Sequence, residues 1–302
     1  MKFARVLRPT GEHDEGVVVG DTFISLGAFG DMGATRTVSE LLADWDANLE
    51  RLGTALGAAR TLDDMDPVPL ASCALLTPVV PKQVFQVALN YRDHAVEMGL
   101  PVPARPFVFV GLPTAISGAN DPVHLSADSD QDDWELELGC VVKKDAYRVD
   151  PRDAADYIAG YVMVNDLTSR DLLHRAGYGR LDYLAAKNPP TFLPTGPFLV
   201  SAASIQPMEL SMTLSVNDEL MQDVTTADMI FSPSAVLASI SSSVRLLAGD
   251  LILTGTPAGT GHARGRYLRD GDVISSHIRG LGTQRNVCEA QPSLSAAAPE
   301  RT

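Results

Sequence analysis

Two stretches of sequence decide the fold class: residues 134–142 read WELELGCVV and residues 161–166 read YVMVND. Both are largely apolar runs of strand length with β-branched residues, a pattern typical of strands that pack on a core. Further runs of this kind are VFQVAL (84–89), PFVFV (106–110), GPFLVS (196–201), LSMTLSV (210–216), DLILTGT (250–256) and DVISSHI (272–278). Helical patterns are few and short in this part, so the sequence predicts a β-rich α+β fold.

The beginning of the chain has a different pattern. Residues 1–30 read as short strands broken by turns, and a leucine-rich helical pattern follows a capping box formed by Thr37 and Glu40. Residues 63–81 are rich in Asp and Pro, which marks a boundary. We predict a small N-terminal α/β domain (1–75), a main domain (76–290) and a disordered tail (291–302).

Composition excludes several classes of function. The chain has 24 Lys and Arg residues against 38 Asp and Glu, a formal net charge of −14. Such a charge repels phosphate, so we expect no nucleic-acid partner and no membrane-surface role. Three cysteines without Cys-x-x-Cys spacing argue against a disulfide framework or a zinc site. Without an apolar span or a signal segment, the protein is expected to be cytoplasmic.

Two glutamates interrupt the first of the deciding strands. Glu135 and Glu137 share one face of a strand, while their apolar neighbours share the other. Taken alone, this pattern fits a solvated acidic face. Asp166 ends the second strand, where it suits either a helix N-cap or a third ligand. Three carboxylates without His or Cys suit a hard cation such as Mg²⁺, Mn²⁺ or Ca²⁺ rather than zinc.

A short helix is predicted between Asn90, as its N-cap, and Gly99 at its end. His94 and Glu97 are spaced i to i+3 on one face of this helix. A carboxylate beside an imidazole fixes its tautomer and raises its basicity, as activation of water requires, although a solvated surface pair has the same spacing. The histidines without such a partner are interpreted as structural or surface residues: His174, His262 and His277.

Five segments occur in order along the chain: ALNYRDHAVEMG, DWELELGCVVKK, AGYVMVNDLTSRDL, AAKNPPTFLPTGPFLV and GDLILTGTPAGTG. Together they resemble the signature segments of the fumarylacetoacetate hydrolase family over roughly residues 80–290. The resemblance implies a mixed β-roll catalytic domain (76–290), a homodimer and a small-molecule keto acid as substrate. It also implies that Glu135, Glu137 and Asp166 bind Mg²⁺ or Mn²⁺, with Ca²⁺ as an alternative.

The resemblance further implies a hydrolase acting on carbon–carbon bonds of 1,3-diketones, acylpyruvates or 2,4-diketo acids, in aromatic or sugar-acid catabolism. In that reading His94 and Glu97, on a mobile lid, activate water. Lys187 neutralises a substrate carboxylate or oxyanion, and Thr256 forms a hydrogen bond with the substrate. The metal stabilises the enolate that leaves.

Departures from the family pattern concern the segments that face the substrate. Residues 109–112 read FVGL where members commonly have F-x-K-P, and Leu173 replaces a glutamine. Chemistry is therefore expected to carry over better than specificity. The same site also suits decarboxylation, tautomerisation, isomerisation or hydration of a 2-keto acid. A third interpretation is a non-catalytic protein in which bound Ca²⁺ only stabilises the acidic strand.

Overall fold

The computed structural model describes residues 1–30, 35–59, 61–175 and 181–292, and in these ranges the chain forms twenty strands and seven α-helices. The strands are β1 (Lys2–Leu7), β2 (His13–Val19), β3 (Thr22–Ser25), β4 (Val68–Pro69), β5 (Ala74–Leu76), β6 (Val84–Ala88), β7 (Phe107–Gly111), β8 (Ile116–Gly118), β9 (Val123–Leu125), β10 (Asp132–Asp133), β11 (Leu136–Val142), β12 (Ile158–Asn165), β13 (Thr168–Ser169), β14 (Leu193–Thr195), β15 (Leu199–Ser201), β16 (Ser211–Val216), β17 (Glu219–Thr225), β18 (Leu251–Leu253), β19 (Val273–Ile278) and β20 (Gly282–Ala290). The helices are α1 (Val38–Leu41), α2 (Trp45–Ala58), α3 (Arg92–Glu97), α4 (Arg170–Leu173), α5 (Tyr183–Lys187), α6 (Pro233–Ser241) and α7 (Gly261–Arg264). Each predicted strand run overlaps one of these strands, and the β-rich α+β fold class is confirmed.

Strands β11 and β12 lie at the centre of a thirteen-stranded mixed sheet. Its main path runs β4-β3-β2-β1-β15-β12-β11-β18-β6-β7, with β18 and β6 parallel. Every residue of β11 and β12 is buried because core packs on both faces of the sheet. Leu136 and Leu138 point into one core, and Val141 points into the other.

A second, five-stranded sheet covers the Leu136 face, in the order β17-β16-β19-β20-β9. The hairpin between β16 and β17 turns at Asn217 and Asp218, as predicted. Both residues have positive φ angles, 51° and 64°, which a type I′ turn requires. Strand β20 has no apolar signature in the sequence because it turns Gln284 and Asn286 inward, where both side chains donate to backbone carbonyls.

The N-terminal segment extends the main sheet. Strand β1 pairs with β2 and β5 and also with β15, and the Phe3 ring packs on Trp45 of α2 at 5.3 Å. The predicted capping box of Thr37 and Glu40 is present at α1. Strands on both sides of residue 75 belong to this one sheet. The domain boundary at residue 75 stays a prediction. Of the predicted disordered tail, residues 293–302 lie outside the described residues.

No helix within the described residues is long and apolar enough to cross a membrane.

Candidate active site

The pairing of β11 with β12 brings three carboxylates together. Leu136 lies opposite Asn165, so Glu135 and Glu137 lie beside Asp166 at the end of β12. One oxygen from each group can be chosen so that all three lie within 4.8 Å of one another. Glu135, Glu137 and Asp166 are only 6%, 1% and 2% exposed, so the solvated-face interpretation is wrong. Asp166 is not a helix N-cap either, because α4 begins at Arg170.

Two cations lie against this cluster. Lys187 Nζ is 2.6 Å from Glu135 Oε2 and 2.8 Å from Asp166 Oδ2. The guanidinium of Arg170 binds the other oxygen of Glu135, and its Nε donates to Asp133 Oδ2 at 2.8 Å. The buried cluster thus contains four carboxylates and two cations, which leaves two negative charges when all are ionised. One divalent cation would neutralise them, and the oxygen donors match the preference of Mg²⁺ or Mn²⁺.

The pKa values show which carboxylate is least compensated. Burial raises the pKa of Glu137 well above its usual range, Asp166 adds to the rise, and the Gly255 N–H donates the hydrogen bond that Glu137 accepts, at 2.7 Å. Burial also raises the pKa of Asp166, to about 6, despite the opposing charge of Lys187. For Glu135, Lys187 and Arg170 outweigh burial and lower the pKa to about 2. A bound cation would supply the positive counter-charge that the Glu137 carboxylate lacks.

His94 and Glu97 form the expected pair on α3. His94 Nδ1 lies 2.9 Å from Glu97 Oε2, and Glu97 Oε1 accepts a hydrogen bond from Gly259 N at 2.8 Å. Burial favours a higher pKa for Glu97, but the hydrogen bonds from His94 and Gly259 prevail and its pKa is lowered. An ionised carboxylate at this distance accepts the Nδ1 proton, which in the neutral imidazole leaves the lone pair on Nε2.

The helix start differs from the prediction. Tyr91 rather than Asn90 is the N-cap, and the buried Asn90 side chain instead donates to Thr254 O at 2.7 Å and to Phe231 O at 2.9 Å. Asn90 thereby ties the beginning of α3 to two distant loops. Gly99, with a φ of 64°, follows the end of the helix as predicted.

A cavity of about 170 Å³ opens in front of the carboxylates. Its lining residues are Val87, Ala88, Leu89, His94, Met98, Leu100, Phe109, Glu135, Glu137, Asp166, Arg170, Leu173, His174, Leu181, Tyr183, Lys187, Thr256 and His262. Six of the seven predicted site residues therefore share one cavity, and Glu97 binds His94 from behind. The Thr256 hydroxyl donates to Leu136 O at 3.0 Å and accepts from Gln222 Nε2 at 3.1 Å, so it retains one acceptor site for a ligand.

Several residues of the site were not predicted from the sequence. Arg170 stands inside the recognised TSRDL segment, which could have identified it. Gln86 donates to Asp166 Oδ1 at 2.8 Å, and its signal was a polar residue within the apolar run VFQVAL. In the FVGL segment, Gly111 stands where the family pattern F-x-K-P has a lysine. A Cβ at Gly111 would lie 3.1 Å from the Gln86 side-chain amide, so the glycine leaves space for the Gln86 side chain that binds Asp166.

The three remaining histidines were interpreted as structural or surface residues, and His174 and His277 are indeed exposed, whereas His262 is half-buried. His174 and His262 also line the cavity, which the sequence did not indicate. Neither His174 nor His262 has a partner at helical or strand spacing. His262 instead reaches the site through the backbone of α7, where Asp133 accepts hydrogen bonds from the N–H groups of Gly261 and His262.

Comparisons with known proteins agree with this geometry. Residues 83–289 match the family described as fumarylacetoacetate (FAA) hydrolase C-terminal. The 2,4-didehydro-3-deoxy-L-rhamnonate hydrolase of Sphingomonas sp. (strain SKA58) is 34% identical over 292 residues, covering 94% of this chain and 95% of that protein. A mitochondrial oxaloacetate tautomerase of Homo sapiens is 34% identical over 267 residues, covering 87% of this chain and 82% of that one.

A solved structure supports the metal centre. The maleylpyruvate hydrolase from Sphingobium sp. SYK-6, in complex with manganese(II) and pyruvate, matches with a TM-score of 0.75 at 27% identity, covering 97% of this chain and 100% of that one. Together with the buried carboxylate cluster, it indicates a divalent metal site. The chain belongs to the fumarylacetoacetate hydrolase family, whose enzymes include hydrolases, isomerases and an oxaloacetate tautomerase.

Proposed function

We propose that the protein is a divalent-metal-dependent hydrolase that cleaves the carbon–carbon bond of an acylpyruvate or another 2,4-diketo acid. One observation carries this proposal: a buried imidazole, oriented by Glu97, lines the same cavity as Glu135, Glu137 and Asp166. The three carboxylates would hold Mg²⁺ or Mn²⁺. A bound cation would act as a Lewis acid toward the keto-enolate oxygens of the substrate and stabilise negative charge on them.

The side chains of the site divide the remaining work. His94 Nε2 removes a proton from water while Glu97 holds the Nδ1–H, and the water oxygen bonds to the C4 carbonyl carbon. The C3–C4 bond then breaks, and its electron pair stays on C3 as the enolate of pyruvate. Protonated His94 returns the proton to C3, so one water is consumed and pyruvate and a carboxylic acid are formed.

Lys187 and Thr256 have supporting roles in this proposal. The Lys187 ammonium keeps Glu135 ionised and adds positive charge beside the substrate oxyanion or carboxylate. The Thr256 hydroxyl, whose proton is held by Leu136 O, accepts a hydrogen bond from the enol form of the substrate. Both residues line the cavity with the carboxylates.

The test is an activity screen with Mg²⁺ and with Mn²⁺ on acylpyruvates, oxaloacetate and 2,4-diketo sugar acids, with products identified by mass. In ¹⁸O-labelled water we expect equal amounts of pyruvate and an acid that carries one labelled oxygen. Removal of the metal with a chelator should abolish both products. Glu135→Gln and Asp166→Asn variants that retained full activity after chelation would contradict the proposal.

Tautomerisation of a 2-keto acid is the second candidate, and the 34% identity to the oxaloacetate tautomerase favours it. A His94→Ala variant separates the two reactions. Loss of hydrolysis together with retained tautomerisation would indicate that proton transfer without water attack is the native chemistry. A protein merely stapled by Ca²⁺ would show a metal-dependent rise in melting temperature and no turnover of any 2,4-diketo acid.

We also propose the homodimer implied by the family resemblance. Light scattering after size-exclusion chromatography tests it directly, since a dimer of this chain has twice the mass of 32.2 kDa. A single species at the monomer mass would contradict the proposal.

A further inference from the structure

One wall of the cavity is apolar, and it comes from elements other than those that carry the carboxylates. Its members are Met98, Leu100, Phe109, Leu173, Leu181 and the ring of Tyr183. They follow α3, lie on β7, end α4, or precede and begin α5, whereas the carboxylates lie on or beside β11 and β12. The cavity therefore has a charged side that suits the diketo acid and an apolar side.

The apolar wall is an ordered surface. The Phe109 ring stacks on Tyr183 with centroids 4.1 Å apart and an angle of 23° between the rings. Leu173 is buried beside the site, at the position where the recognised family segment commonly has a glutamine. Towards solvent, Leu100 and Leu181 are 51% and 42% exposed. Large apolar side chains that remain exposed at a cavity mouth indicate a surface that an apolar ligand covers.

The cationic Lys and Arg side chains that line the cavity are already paired with its carboxylates. Among the lining residues that the structure describes, the Lys and Arg side chains are Lys187 and Arg170, and both bind Glu135. A second carboxylate at the far end of a substrate would thus meet no uncommitted lysine or arginine in the described wall. Burying such a carboxylate against Leu173 and Phe109 would be unfavourable.

We infer that the apolar wall binds the distal acyl group, so that the preferred substrates are acylpyruvates with an aryl or a long alkyl acyl group. This inference rests on the proposed function, since it assigns the substrate class of the same site. The diketo acid occupies the carboxylate side, and the acyl substituent lies along Leu173 and Phe109. A polyhydroxylated or carboxylated substituent would lose its hydration there without replacement.

The test measures kcat/KM of the metal-loaded enzyme for acetylpyruvate, hexanoylpyruvate and benzoylpyruvate. A distal-carboxylate 2,4-diketo acid and a polyhydroxylated 2,4-diketo sugar acid complete the series. We expect each added methylene that is buried to raise kcat/KM by about fourfold, and a phenyl in place of a methyl to raise it by about tenfold or more. The two polar compounds should be poorer substrates than acetylpyruvate.

Matched variants assign the preference to the wall. Leu173→Gln should lower the benzoyl-to-acetyl ratio of kcat/KM by about tenfold, mainly through KM, whereas the apolar Leu173→Met should keep the ratio within about threefold. Phe109→Ala, which removes the ring stacked on Tyr183, should also lower the ratio. It is the test variant if the Leu173→Gln protein does not fold.

The outcomes separate the inference from the proposed function. If the compounds are turned over with equal kcat/KM, or if the polar compounds have the higher kcat/KM, the apolar subsite would be overturned while the hydrolase proposal stays intact. An unchanged ratio in both Leu173→Gln and Phe109→Ala would overturn it as well. Absence of turnover with every compound would refute the hydrolase and the inference built on it.

Discussion

Replacing Glu137 by glutamine tests the charge balance on which the metal site depends. Glu137 is buried, accepts its hydrogen bond from Gly255 N, and has no ion pair of its own among the described residues. Glutamine keeps the size of the side chain but removes the charge. We therefore expect opposite effects on stability in the absence and in the presence of a divalent cation.

The magnitude follows from the geometry of the cluster. Ligand oxygens of Glu137 and Asp166 lie within 4.8 Å, and at an effective dielectric near 20 two charges at that distance repel by on the order of 3 kcal/mol. Attraction of Glu137 to Lys187, and uptake of a proton by Glu137 when no metal is bound, offset part of this repulsion. Glu137→Gln should therefore stabilise the metal-free protein by about 1–2 kcal/mol. Saturation of the wild type at 100 times its Kd should add about 2.7 kcal/mol.

The assay is thermal unfolding with EDTA and with increasing Mn²⁺. At about 2 °C per kcal/mol for a chain of this size, the wild type should gain about 5 °C from the metal. Glu137→Gln should melt about 2–4 °C higher than wild type in EDTA and gain little from Mn²⁺. Glu50→Gln, at an exposed position of α2, is the control and should behave as wild type. Equal metal-induced shifts in wild type and Glu137→Gln would refute the reasoning.

Three further predictions concern the base, the helix anchor and pH. His94→Ala should lower kcat by about 100-fold or more while keeping the Mn²⁺-induced melting shift, and loss of that shift would instead indicate a structural role. Asn90→Ala should lower the free energy of unfolding in urea by about 2–3 kcal/mol, because it leaves buried carbonyls without donors; a loss below about 0.5 kcal/mol would contradict this. In EDTA, stability should fall from pH 4 to pH 8. The folded-state pKa values of Asp166, about 6, and of Glu137 are raised, so their contribution is complete below the unfolded pKa and is lost as they deprotonate. Melting curves at both pH values measure this fall, which saturating Mn²⁺ should suppress; a rise with pH in EDTA would contradict it.

Much of the sheet was predictable because strand signals are local. Alternation placed Glu135 and Glu137 on the same side of the chain at the start of β11, and the turn residues Asn217 and Asp218 located the β16–β17 hairpin. Strand β20 escaped prediction because its inward residues include the polar Gln284 and Asn286, whose buried amide N–H groups donate to carbonyls distant in sequence.

The sequence by itself determined which residues share a strand face or a helix face, since those periods of two and 3.6 residues depend on the backbone alone. The order of the five segments also identified the family. Tertiary structure alone decided that the face of Glu135 and Glu137 is buried and that Lys187 arrives from another element to balance it. Burial and counter-charge depend on what packs against a side chain, and here that packing joins groups separated by tens of residues along the chain.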